Sequence, residues 1–88
     1  MKFGWNEWNE QHIARHGVGK AEAEEVIDNA RPPYPTYRGE GKYLVWGPGP
    51  GGRLLQVVFL LDEEGTIYVI HSRPLTDREK QHFRRRRT

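Results

Sequence analysis

Leu54-Leu55-Gln56-Val57-Val58-Phe59-Leu60-Leu61, the turn Asp62-Glu63-Glu64-Gly65, and Thr66-Ile67-Tyr68-Val69-Ile70-His71-Ser72 decide the fold class of this chain. The first run is almost continuously apolar and rich in branched residues, which suits a central strand covered on both faces. The second alternates with a period of two, the mark of a half-buried strand. Only a four-residue turn separates them. A parallel crossover needs about a dozen residues or more, so the two strands must pair antiparallel. Upstream, Lys42-Tyr43-Leu44-Val45-Trp46 is a third β-rich run, joined to the central strand by the glycine and proline turn 47–52. Tyr37-Arg38 begins a short edge strand before it.

Helices flank this meander. Asn6 can cap a helix over 7–16, with Glu7 and Glu10 at its positive end, Arg15 and His16 at its negative end, and Gly17 as the left-handed residue that closes it. Residues 20–29 predict a second helix, with Ala21, Ala23, Val26, Ile27 and Ala30 on its apolar side. Pro32-Pro33 ends it. Thr76 and Glu79 form a Thr-x-x-Glu capping box that opens a last helix over 76–86. Strands grouped together rather than alternating with helices give an α+β fold. The expected architecture is two N-terminal helices, an antiparallel three- to four-stranded sheet over 42–46, 54–61 and 66–72, and a C-terminal helix, with the helices on one face.

Eighty-eight residues predict a single domain over 1–88, whose small core buries roughly 60% of the unfolded surface. The chain has no cysteine, which removes disulfide and thiolate chemistry and fits a reducing cytoplasm. No apolar run approaches the roughly 20 residues of a membrane helix, and the first residues do not read as a signal peptide. The net charge of +2 hides an asymmetry. Residues 76–88 hold six basic groups, Arg84 to Arg87 among them, against two acidic ones, whereas the other residues hold eight basic and ten acidic groups. Such a tail either binds a polyanion or an acidic partner, or is a solvated helix end with favourable dipole placement.

The order and spacing of several strings resemble the BrnT family of bacterial toxins along nearly the whole chain. They are Trp5-Asn6-Glu7, His12-Ile13-Ala14-Arg15-His16-Gly17-Val18, the acidic helix 21–26, Lys42-Tyr43-Leu44-Val45-Trp46-Gly47, Gly52-Arg53-Leu54-Leu55, Val57-Val58-Phe59, Ile70-His71-Ser72-Arg73 and Glu79. The resemblance implies a RelE-like fold, an endoribonuclease acting on RNA, and a cognate DNA-binding antitoxin, of ribbon-helix-helix type in one version. Two departures stand out. The last strand ends in His71-Ser72-Arg73 where the family usually has a small residue followed by Ala-Arg. Phe83 stands where the family usually has a tyrosine, four residues after the glutamate.

Cutting RNA without a metal or other cofactor needs a base for the 2′-OH, positive charge for the pentavalent phosphate and a proton for the leaving oxygen. Arg73, at a strand end before Pro74, can offer its planar fork to phosphate, or pair with Glu79 and pin the last helix to the sheet. The resemblance places an arginine there as well. His71 and His16 are proton-transfer candidates, with a cross-strand pair and a helix cap as their structural alternatives. Arg53 and Glu79 complete the catalytic candidates, against a rim charge and a capping box. Lys42, Tyr37, Arg38, Arg84, Arg85 and Arg86 are candidates for stacking and clamping a single strand. His12 and His16 lie at i and i+4, but two ligands do not make a metal site. Trp5, Trp8 and Trp46 read as packing residues, Trp8 least firmly. The competing functions are a metal-independent endoribonuclease toxin, a non-catalytic module that binds an antitoxin or nucleic acid on the same fold, and a DNA-binding accessory domain led by the basic tail.

Overall fold

The structure, a computed structural model, describes residues 1–86. Five strands and three helices run in the order β1 (Lys2–Phe3), α1 (Glu7–Ala14), α2 (Lys20–Asp28), β2 (Thr36–Gly39), β3 (Lys42–Pro48), β4 (Leu54–Leu61), β5 (Thr66–Pro74) and α3 (Asp77–Arg86). Strand order is β1-β5-β4-β3-β2. The meander β2 to β5 is antiparallel throughout, as the short turns require. The sheet has one strand more than the antiparallel meander expected from sequence. Two residues, Lys2 and Phe3, pair parallel with Thr66 and Ile67 of β5. A strand of that length leaves no periodic signature to read.

The α1 cap is reciprocal. Asn6 Oδ1 accepts from the Asn9 N–H at 3.0 Å and Asn9 Oδ1 accepts from the Asn6 N–H at 2.8 Å. Asn9 also donates to the Gly4 carbonyl and is 2% exposed, so a polar residue with no apolar signature is a fixed point of the core. Regular helix ends at Ala14, two residues early, and Gly17 adopts φ +72° as the closing residue. The 76–79 capping box is present: Thr76 Oγ1 accepts from the Glu79 N–H, and Glu79 Oε1 accepts from the Thr76 N–H.

Ile13 and Val18 join Ala23, Val26 and Ile27 of α2 in packing on Val45, Leu55, Val57, Phe59, Ile67 and Val69 of the sheet. Leu54, Gln56, Val58 and Leu60 lie on the opposite face of β4 and are only half-buried. The expectation that β4 is covered on both faces is therefore corrected. α1 and α2 take one face, while α3 meets only one end of the other, through Glu79 and His82. The register of β5 slips between its pairings with Val58 and Phe59, making Ile70 an extra residue. The slip moves the buried set from Ile67 and Val69 to Ser72, and it aligns His71 and Arg73 with Val58 and Gln56 on the open face. Ser72 Oγ, wholly buried opposite Val57, finds no hydrogen-bond partner among the described residues.

Candidate functional site

Among the described residues, β5 has a strand neighbour on its outer side only at Thr66 and Ile67. Further along, the end of α1 brings exposed His16 edge-on against half-buried His71, with ring centroids 5.6 Å apart. His71 is held below the ordinary histidine range, first by burial and then by the positive charge of His16, Arg73 and His12. A neutral imidazole beside fixed positive charge can take a proton and keep a phosphate close. His12, in the last turn of α1, stacks on Trp8 with ring centroids 4.7 Å apart. Trp8 is 60% exposed, so of the three tryptophans it departs furthest from a packing role. Trp5 packs on the core and donates to Glu24; Trp46 donates to Gln56 at 3.0 Å.

Arg73 makes a two-pronged pair with Glu79, Nη1 to Oε1 at 2.7 Å and Nη2 to Oε2 at 2.8 Å. Its Nη1 also donates to the Pro74 carbonyl, and its Nη2 donates to Gln56 Oε1. Both terminal nitrogens are thus fully used, leaving Nε–H as the remaining one of the five donors. The arginine pins α3 to β5 and β4, the structural alternative raised from its sequence position. Its charge still lies beside His71. The guanidinium and the Thr76 N–H hold the Glu79 carboxyl down at about 2. In that state Glu79 is an anion that orients Arg73, with little capacity to act as a base near neutral pH.

Arg53 is engaged at the turn that follows α1. Its Nη2 donates to the Gly17 carbonyl at 2.8 Å and to both carboxylate oxygens of Glu22. Glu22 in turn accepts from the Gly19 N–H. Arg53 therefore anchors the turn that presents His16. Of the five catalytic candidates, His16 and His71 are in ring contact, Arg73 is next to His71 and pairs with Glu79, and Arg53 is held against the turn after His16 and Glu22 of α2.

The RNA-contact candidates do not form one surface. Tyr37, Arg38 and Lys42 are exposed around the β2–β3 hairpin, where the Tyr37 hydroxyl accepts from the Gly41 N–H. Lys42 is four residues along β3 from Trp46, or roughly 13 Å at 3.3 Å per residue. Arg84, Arg85 and Arg86 are on the last turn of α3, at the other end of the sheet. Burial raises the Tyr34 hydroxyl above its ordinary pKa, and the nearby charge of Arg86 offsets part of that rise. Arg87 lies outside the described residues. Phe83 is buried, its ring 6.3 Å from that of Tyr34. Tyr34 is a residue that sequence reading passed over, because it stands in a proline-rich connector without periodicity.

Tyr34, Trp46 and Phe83, with Glu25, Arg31 and Arg86, surround a cavity of about 300 Å³ between the end of α2, the connector, β3 and α3. Trp46 also borders a shallower groove formed with Arg78, Glu79, His82 and Arg85. Among the described residues no group of three or more His, Cys, Asp or Glu is placed to hold a metal ion, and no helix is long and apolar enough to cross a membrane.

No protein-family model matches this chain, and no curated protein sequence matches it significantly. A solved structure does. The crystal structure of the Brucella abortus ribonuclease toxin BrnT superposes with a TM-score of 0.69 and 24% sequence identity, over 88% of this chain and 99% of that one. The fold is thus BrnT-like, and the resemblance read from the ordered strings is borne out at the level of the fold.

Proposed function

We propose that this protein is a metal-independent endoribonuclease toxin of a type II toxin–antitoxin pair. The observation that carries the reading is the match, over nearly the whole of both chains, to a protein described as a ribonuclease toxin. The site supplies chemistry to go with it. His71, disposed to be neutral, takes the proton of a ribose 2′-OH as that oxygen attacks the adjacent phosphorus. Arg73 stabilises the added charge of the pentavalent phosphate. His16, when protonated, returns a proton to the departing 5′-oxygen. The products are a 2′,3′-cyclic phosphate and a 5′-hydroxyl. Glu79 and Arg53 are positioning residues, one for the guanidinium and one for the His16 turn. Proton transfer by imidazoles supports the metal-independent form of the reading. The basic groups Arg84 to Arg86 and the hairpin group Tyr37, Arg38 and Lys42 are two separate RNA contacts. A DNA-binding antitoxin is the partner, and the bacterial cytoplasm is the compartment.

The test is cleavage of single-stranded RNA by the purified chain in EDTA, with arrest of bacterial growth on overexpression. His71→Gln should lower the single-turnover rate by about two orders of magnitude or more, the lower end of what a positioned acid or base contributes. The rate of the wild type should fall as pH drops through a value below the usual histidine pKa of about 6.5, because His71 must be unprotonated to act. Intact RNA at high protein concentration together with normal growth would favour the non-catalytic module. An unchanged rate in a folded His71→Gln variant would remove His71 from the mechanism.

A further inference from the structure

We propose that the cavity between α2, the connector and α3 is a pocket for a guanine base of single-stranded RNA. The inference deepens the ribonuclease reading, on which it rests for the source of the base. A volume of about 300 Å³ is at the small end of ligand sites, suited to a base or nucleoside. Its walls include three aromatic rings, Tyr34, Trp46 and Phe83. Unstacked bases in single strands are recognised by stacking on such rings and by hydrogen bonds to their edges. The Tyr34 ring lies 6.3 Å from that of Phe83, so that wall is backed by the helix that closes the pocket.

Glu25 selects the base. Its half-buried side chain borders the cavity, and it makes no hydrogen bond or ion pair among the described residues. A carboxylate in that position calls for two adjacent donors. Guanine alone among the four bases presents a ring N–H and an amino N–H side by side on its pairing edge. Adenine and cytosine set a ring acceptor next to their amino group, and uracil flanks its N–H with two oxygens. Arg31, also on the lining, has the fork that matches guanine O6 and N7. Arg31 and Arg86 on the lining, and Arg78 and Arg85 in the adjacent groove, supply positive charge for the phosphates that flank the base. Trp46 links the cavity to the cleavage site, since its indole and Arg73 share the same Gln56 oxygen. A guanine seated here sets the register of the strand relative to Arg73 and His71.

The experiment is calorimetric and NMR titration of the intact chain with GMP, AMP, CMP and UMP, then with the RNA pentamers UUGUU and UUAUU. GMP should bind about tenfold tighter than the other mononucleotides, within the range a bidentate base contact gives. Its amide shifts should centre on Tyr34, Trp46 and Phe83. Glu25→Gln should bring GMP down to the level of AMP or below it, since an amide offers one acceptor where guanine needs two, and it should keep the melting temperature. UUGUU should bind tighter than both GMP and UUAUU. Equal binding of the four nucleotides, a guanine preference that survives in Glu25→Gln, or shifts centred elsewhere would overturn the proposal. So would GMP binding that is lost when guanine is placed in the pentamer, which would make the site one for a free nucleotide. Cleavage mapping separates the two readings. Cuts that ignore guanine in both the wild type and Glu25→Gln overturn the pocket and leave the ribonuclease standing. Guanine-selective binding without any cleavage supports the pocket and removes the ribonuclease.

Discussion

Glu79→Gln tests whether the Arg73–Glu79 pair holds α3 to the sheet. The native carboxyl titrates at about 2 in place of 4.5, first because of the Arg73 hydrogen bonds and then because of the Thr76 N–H. At about 1.36 kcal/mol for each pH unit, the full difference corresponds to roughly 3.4 kcal/mol. Both partners remain partly in water, with side chains 28% and 23% exposed. Screening therefore reduces the stabilisation to about 1–2 kcal/mol. The sign follows from linkage. A carboxyl with a lowered pKa in the folded state contributes fully above 4.5, and the contribution is lost as pH falls towards 2. Glutamine keeps an oxygen for the Thr76 N–H, so the helix cap survives the change. In urea denaturation at pH 7 the variant should be about 1–2 kcal/mol less stable, and each kcal/mol should lower Tm by roughly 4–8 °C in a domain of this size. The gap should close as pH is lowered from about 5 to 2. A gap that is absent at pH 7, or that stays constant down to pH 2.5, refutes the clamp.

Ser72→Ala should raise stability by roughly 1 kcal/mol in urea denaturation, since it removes a buried hydroxyl that has no partner among the described residues; a loss would mean that the hydroxyl is satisfied in solution. Gly4→Ala should cost about 1–3 kcal/mol, because a Cβ there overlaps the Tyr68 ring. The same change in a Tyr68→Ser background should cost clearly less, and equal costs would show that the ring is not what excludes the methyl. Replacing Arg84 with Ser, exposed on the last turn of α3, should reduce the salt slope of single-strand RNA binding by about 0.7 if it contacts one phosphate. An unchanged slope would make it a solvated charge.

Most of the fold was legible because its signals are local. The turn 62–65 is too short for a crossover, so the pairing of β4 with β5 was settled by chain length alone. The 76–79 box and the Asn6 cap put side-chain oxygens where the first helical N–H groups need them. β1 was not legible, because two residues carry no period and their partner is sixty-odd residues away. The open second face of β4 was misread for a related reason. Leu54, Val58 and Leu60 look like core residues in a one-dimensional pattern, but which face receives the helices is fixed by three-dimensional packing.

The site divides along the same line. Residue types told which groups could move protons or hold charge, and β5 does bring His71 and Arg73 together near His16. What sequence left open is the engagement of each cation: the Arg73–Glu79 pair stood as one of two alternatives, and the Arg53–Glu22 pair was not read at all. Arg53 and Arg73 both looked available for phosphate, yet each is fixed by a carboxylate, from α2 in one case and α3 in the other. Such pairings join residues 31 and 6 positions apart, and many exchanges of partner would preserve the same composition. They also change what the arginines can do. A guanidinium whose terminal nitrogens are occupied acts on a phosphate chiefly through its charge and its orientation of neighbours, not as an open fork. The weight of the chemistry therefore moves to the imidazole whose pKa burial, and then that charge, lowers, and His71, a departure from the resembled family's usual strand ending, becomes the residue on which the proposed cleavage should depend.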